Sequence, residues 1–189
     1  MEDINQLDTM FRYFGKYHRL TAEEEKVIAG ICGVLQVSKN KDLQSIGHTC
    51  KTIYFIRKGM ARIYYYKDGT DVTESFSFEN DIIARVESLF TGNPSRKAIQ
   101  VLEDSEIIAI DAVKLFNLYD NYPGIERLFR KIFEAGHVET VNRIEGIQFH
   151  TAEERYKALL EEAPDLLKRV PLKHIASYLG ITQVSLSRI

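Results

Sequence analysis

An α+β fold is predicted, with helices towards both ends of the chain and a sandwich or roll of short strands between them. Three observations support it. The stretch "YFIRKGMARIYYYKDGTDVTESFSFEND", residues 54–81, is rich in β-branched and aromatic residues and is punctuated by Lys58-Gly59 and Asp68-Gly69. From residue 125 onward, 26 residues run without proline and carry apolar side chains at helical spacing. Thr21 with Glu24, and Thr151 with Glu154, each place a hydroxyl three residues before a carboxylate, which is the sign of a helix start.

In chain order, residues 1–30 read as helical, with acids in the first turn after Thr21, where a helix dipole favours them. Residues 33–110 read as strands. Asp68-Gly69 between "ARIYYYK" and "TDVTESFSF" predicts a hairpin. Val72, Glu74, Phe76 and Phe78 are expected on one face of the second strand, with Thr73, Ser75 and Ser77 on the other. "KAIQVLEDSEIIAID" supplies two more strands around Glu103-Asp104. "AVKLFNLYDNY" is helical again, and Pro123-Gly124 is expected to break the chain. In the long helix that follows, Ile125, Leu128, Phe129, Ile132 and Phe133 form a stripe, which Val138, Val141 and Ile144 continue in shifted phase. That is more apolar surface than a small β domain covers, so the helix is read as a dimer helix; the alternative is that it packs on its own domain. "TAEERYKALLEEAP" makes a further helix that stops at Pro164. Finally Leu172, Ile175, Ala176 and Leu179 repeat at helical spacing until Gly180, and Thr182 starts a last helix with Val184, Leu186 and Ile189 available for packing.

Composition narrows the function. The 189 residues suit one large domain or two small ones, and 44% hydrophobic with 28% charged residues describe an ordinary globular protein. No apolar run approaches the ~20 residues of a membrane span, and the acidic, polar start differs from a signal peptide, so a cytoplasmic location is expected. Cys32 and Cys50 are too few for a disulfide framework, a four-thiolate metal site or an iron–sulfur cluster. The five histidines lack close metal-ligand spacing, and no phosphate loop or nucleophile elbow is present, so the protein is not read as an enzyme. Net charge is −2, and +1 over residues 151–189, so any hold on DNA must be local.

Helix, roll, long helix and terminal hairpin together resemble the catabolite activator/fumarate-nitrate regulator (CRP/FNR) family of bacterial transcription factors. Two segments carry the resemblance. "YFIRKGMARIYY" is similar to the strand–Gly–strand hairpin of the cyclic-nucleotide-binding roll, with Gly59 at the shared glycine. "LKHIASYLGITQVSLSRI" resembles the family's helix-turn-helix, with Ala176 small at the helix crossing and Gly180 at the turn. The resemblance implies three parts. Residues 1–120 would be a cyclic-nucleotide-binding-like, cupin-like sensor β-roll with flanking helices. Residues 121–149 would be the dimerisation helix, and 150–189 an all-α, winged-helix-like DNA-binding domain with its recognition helix cut short. The family's β-wing is not expected, because "EEAPDLLKRVP" leaves only a short loop.

The same resemblance assigns the sites. Gln183, Val184 and Arg188 would face base edges, and Thr182 and Ser185 would contact phosphates. Gln183 can pair with adenine and Arg188 with guanine or phosphate. Val184, standing where the family often has Glu, can touch a thymine methyl but cannot accept from cytosine, so a different operator is expected. Ending at Ile189 is expected to weaken the grip, since phosphates supply most of the affinity. In the roll, "ENDIIARVESLFTGNPSRKAI" matches the phosphate-binding stretch. Ile83, Ala84, Arg85 and Glu87 fall at the family's Gly-Glu-Leu region. Arg96, Lys97 and Ala98 fall at its Arg-Ser-Ala, and Thr140 is the hydroxyl offered to the base. Arg85 replaces a ribose-binding Glu and has no acceptor, so cyclic AMP is not the expected effector. Either a cyclic nucleotide or other small anion binds, or the cations pair internally with Glu79 or Glu87 and no ligand binds. The partners implied are double-stranded DNA and a second copy of the chain. The alternative is a ligand-sensing or protein-interaction module that does not bind DNA.

Overall fold

A computed structural model describes residues 6–189; the helical reading of residues 1–5 lies outside the described residues. Among the described residues two helices come first, α1 (Asp8–Phe14) and α2 (Ala22–Ala29), the second starting after Thr21 as its capping box predicts. The capping box of α2 is made in both directions. The Thr21 hydroxyl accepts from the Glu24 N–H, and the Glu24 carboxylate accepts from the Thr21 N–H at 2.8 Å.

Eight strands follow: β1 (Cys32–Val37), β2 (Asp42–Gln44), β3 (Thr52–Lys58), β4 (Ala61–Lys67), β5 (Thr70–Ser77), β6 (Ile82–Ile83), β7 (Ala98–Val101) and β8 (Ser105–Asp111). They form two antiparallel four-stranded sheets, ordered β1-β8-β3-β6 and β2-β7-β4-β5. Ile56, Ile63, Ile99, Val101 and Ile107 fill the space between the sheets. The Asp68-Gly69 turn has positive φ at both residues, as the twist of a tight hairpin demands. Gly59, in the β3–β4 turn, has φ +99°, and a Cβ there would lie 2.2 Å from the Ser105 Oγ, so no other residue fits.

Strand β5 departs from simple alternation. Ile63 pairs with Ser75 but Tyr64 pairs with Thr73, so Glu74 is an extra residue, a β-bulge. The expected single face of Val72, Glu74, Phe76 and Phe78 is therefore split, and it is Thr73 and Ser77 that are buried. Helix α3 (Val86–Thr91) lies between β6 and β7, and α4 (Ala112–Leu118) follows β8 with the Asp111 carboxylate capping its first turn.

Helix α5 (Pro123–Phe149) is 27 residues long. Pro123 and Gly124 do not break the chain; they open this helix, where the missing proline N–H would be unpaired anyway. Ile125, Leu128, Phe129 and Ile132 are buried with Phe14, Phe55 and Ile110. Beyond them, Val138, Val141, Ile144, Ile147 and Phe149 are exposed.

Helices α6 (Ala152–Glu162), α7 (Leu166–Arg169), α8 (Leu172–Leu179) and α9 (Gln183–Leu186) end the chain. Thr151 and Glu154 form the second capping box. The stretch read as a loop holds the one-turn helix α7. Leu166, Val170, Ile175 and Leu179 share an apolar cluster with Met60 and Leu102 of the roll, so the terminal helices and the roll have a common core.

Candidate functional site

The first candidate region lies where β5, β6, α3 and β7 meet. Ile83 and Ala84 are buried in the sheet packing. Arg85, just before α3, is a buried cation: its Nε donates to the Ser95 Oγ at 3.3 Å, and its Nη1 lies 3.5 Å from Glu74 Oε1. The other oxygen of Glu74 takes the Lys97 ammonium, which also lies 5.3 Å from the centre of the Tyr65 ring. Ser95 is buried and holds the loop together, accepting from the Lys97 N–H at 3.1 Å and donating to the Lys97 carbonyl at 2.7 Å. Ala98 is buried on β7 opposite Tyr64.

Three proposed ligand residues stand apart from this cluster. Glu87 points to solvent on α3, Arg96 is exposed on the loop, and Thr140 is exposed on α5 with its hydroxyl donating to the Gly136 carbonyl at 2.9 Å. The carboxylate that pairs with Arg85 and Lys97 is Glu74, neither Glu79 nor Glu87. Glu79 accepts from Arg169 and from the Gly59 N–H. Glu74 was missed because strict alternation put it with Phe76 and Phe78, although a carboxylate on that otherwise apolar face was itself a signal.

The second region is the α8–α9 hairpin. Gly180 ends α8 in the left-handed conformation at φ 71°, and the Ile181 N–H returns to the Ala176 carbonyl at 3.0 Å. Thr182 caps α9, its hydroxyl accepting from the Ser185 N–H at 3.0 Å. Leu186 faces inward, whereas Thr182, Gln183, Val184, Ser185 and Arg188 are exposed.

Between the regions lies a polar joint that the sequence did not reveal. Arg62 on β4 is 2% exposed. It bonds both oxygens of Asp71, the Gln100 side chain, the Thr73 hydroxyl and the His174 Nδ1 of α8, and it stacks 4.3 Å from the Tyr64 ring centre. Burial opposes ionisation of Asp71, but the Arg62 guanidinium outweighs it and holds the carboxyl below its usual range. Burial, with Arg62 beside it, pushes His174 down to about 4, so the ring is neutral and Nδ1 accepts. The Thr73 N–H donates to the Ser177 Oγ at 3.1 Å, and Phe76 packs on Tyr178. Arg143 of α5 covers the Tyr178 ring at 3.7 Å and donates to its carbonyl. Arg169 forks between Glu79 and Glu103, at 2.7 and 2.5 Å.

Residues 34–122 match the cyclic nucleotide-binding domain family. No curated protein matches the sequence. Among solved structures, FixK2 from Bradyrhizobium japonicum superposes with a TM-score of 0.72 at 18% identity, covering 84% of this chain and 82% of that one. A protein assigned to the crp/fnr family of transcriptional regulators from Eubacterium rectale gives 0.71 at 18% identity, covering 89% and 81%. The c-di-GMP responsive global regulator CLP of Xanthomonas campestris gives 0.69 at 14% identity, covering 89% of each chain. Residues 34–122 thus match the cyclic nucleotide-binding domain family, and the chain that carries them shares its fold with FixK2, with the crp/fnr-family protein and with CLP.

Proposed function

We propose that the protein is a dimeric transcription regulator of the CRP/FNR type. Residues 1–120 sense a signal, 121–149 pair two copies, and 150–189 read double-stranded DNA. The observation that carries this reading is the exposure of Thr182, Gln183, Val184, Ser185 and Arg188 together at the start of α9, while Leu186 anchors the helix beneath. A reading helix needs this division between an open face and a packed one. Docking of α8 on β5 hides the back of the hairpin and leaves the α9 face open.

The exposed Val138, Val141, Ile144, Ile147 and Phe149 support the dimer, because a run of large apolar side chains on a long helix is costly in water. Two copies would set two hairpins against half-sites about one helical turn apart. The effector is a small anion, and Arg85 in place of a ribose-binding carboxylate argues against cyclic AMP. An effector shifts the readers only if it binds one arrangement more tightly than the other. The fold likeness to FixK2 and to the crp/fnr regulator supports the assignment of class.

The test is a mobility shift on the DNA upstream of its own coding sequence, with sedimentation velocity on the same preparation. Specific, salt-sensitive binding by a dimer is expected; a monomer indifferent to that DNA refutes the reading.

A further inference from the structure

The Arg85–Lys97 cation pair carries its own anion in Glu74. We infer that Glu74 is a tethered occupant of the Arg85–Lys97 cation pair, and that a phosphate-class ligand enters only by displacing its carboxylate. This rests on reading the pocket as an anion site. The bulge is the first support. Glu74 is the extra residue between the Ile63–Ser75 and Tyr64–Thr73 pairs, and the bulge turns it away from the face of Phe76. That face meets α8, and without the bulge Glu74 would point at Tyr178 rather than at Lys97.

The second support is Arg85. A guanidinium nine-tenths buried needs an acceptor, and Glu74 is the carboxylate that reaches it. Yet the contact is 3.5 Å, longer than the ~2.7–2.9 Å of a well-seated charged hydrogen bond, and it uses one nitrogen where the fork offers two. A phosphate carries enough oxygens to give Arg85 and Lys97 more than one acceptor each; the Glu74 carboxylate gives each of them a single oxygen. The third support is position. Thr73, next to the bulge, holds Ser177 of α8 through its N–H, so the occupant of the pocket is felt one residue from the docking of the terminal helices.

Isothermal titration with inorganic phosphate, then with cyclic AMP, of wild type and Glu74→Gln tests this. The amide keeps the shape and removes the competing charge. Glu74→Gln is expected to bind phosphate about tenfold tighter or better, and Glu74→Gln/Arg85→Met to lose the gain. A gain with cyclic AMP but none with phosphate would place the displaced group away from the phosphate, and overturns the inference. Equal measurable affinity in wild type and Glu74→Gln overturns it while leaving the anion pocket standing. No binding by either form overturns both. Should Glu74→Gln fail to fold, Glu74→Asp, which retracts the charge by one methylene, carries the same comparison.

Discussion

Arg62 Nη1 and His174 Nδ1 lie 2.8 Å apart although 112 positions separate them in the chain. The bond joins the middle of the roll to the first turn of α8, and it exists only while the imidazole is neutral, because a protonated ring has no acceptor to offer. The structure thus uses a histidine as an acceptor beside a permanent cation.

Acid should loosen this joint. His174 falls from 6.5 in the unfolded chain to about 4 in the fold, so the unfolded chain takes up the proton first. Stability should decline as pH drops from 6.5 to about 4, by roughly 3 kcal/mol from this group, and the His174 contribution should be flat below that. Glu79 and Asp71, both held below the usual carboxylate range, add their losses as pH falls through their ordinary values of 4.5 and 3.8 and below. Thermal melts of wild type and His174→Gln from pH 7 to 4 check this; equal slopes would refute it.

Arg62→Met should cost about 3–5 kcal/mol, because it strands a carboxylate that the fold has drawn partly out of water. Arg62→Lys should recover only part, since an ammonium cannot span both Asp71 oxygens and Gln100. Urea unfolding measures both.

Val141→Glu and Ile144→Glu should each weaken self-association by about 2 kcal/mol, or roughly thirtyfold, by burying a charge in the proposed dimer helix. Neither should change the melting temperature of the isolated subunit, as both side chains are exposed there. Sedimentation velocity over a concentration series reads the first effect and a melt at low concentration the second.

Gln183→Ala and Arg188→Ala should each reduce operator affinity by about 1–3 kcal/mol without altering the fold. If Arg188 contacts phosphate, its loss should also flatten the salt dependence by about one unit of slope. Fluorescence anisotropy across a salt series separates the two roles.

Much of the fold was legible because local chemistry fixed it. Two capping boxes, the Asp-Gly turn and the Gly180 stop all depend on residues within a few positions, and each formed as read. Pro123 misled because a proline that breaks a helix interior is also the best first residue of one. The bulge at Glu74 was invisible because register is set by the partner strand, not by the strand itself. Arg62, Arg169 and His174 gave no signal at all. A buried arginine looks like a surface one until distant elements close over it. Of the residues around Glu74, Arg85 and Lys97 were named from the resemblance, whereas Ser95 and Glu74, which bond them, came only from the folded arrangement.

Met60 and Leu102 belong to the roll, yet they are packed among Leu166, Val170, Ile175 and Leu179. Cut loose, either half would bare a greasy underside, so the last forty residues do not transfer on their own. Grafting them onto a foreign sensor would have to bring that pair of side chains along, or supply substitutes of the same bulk.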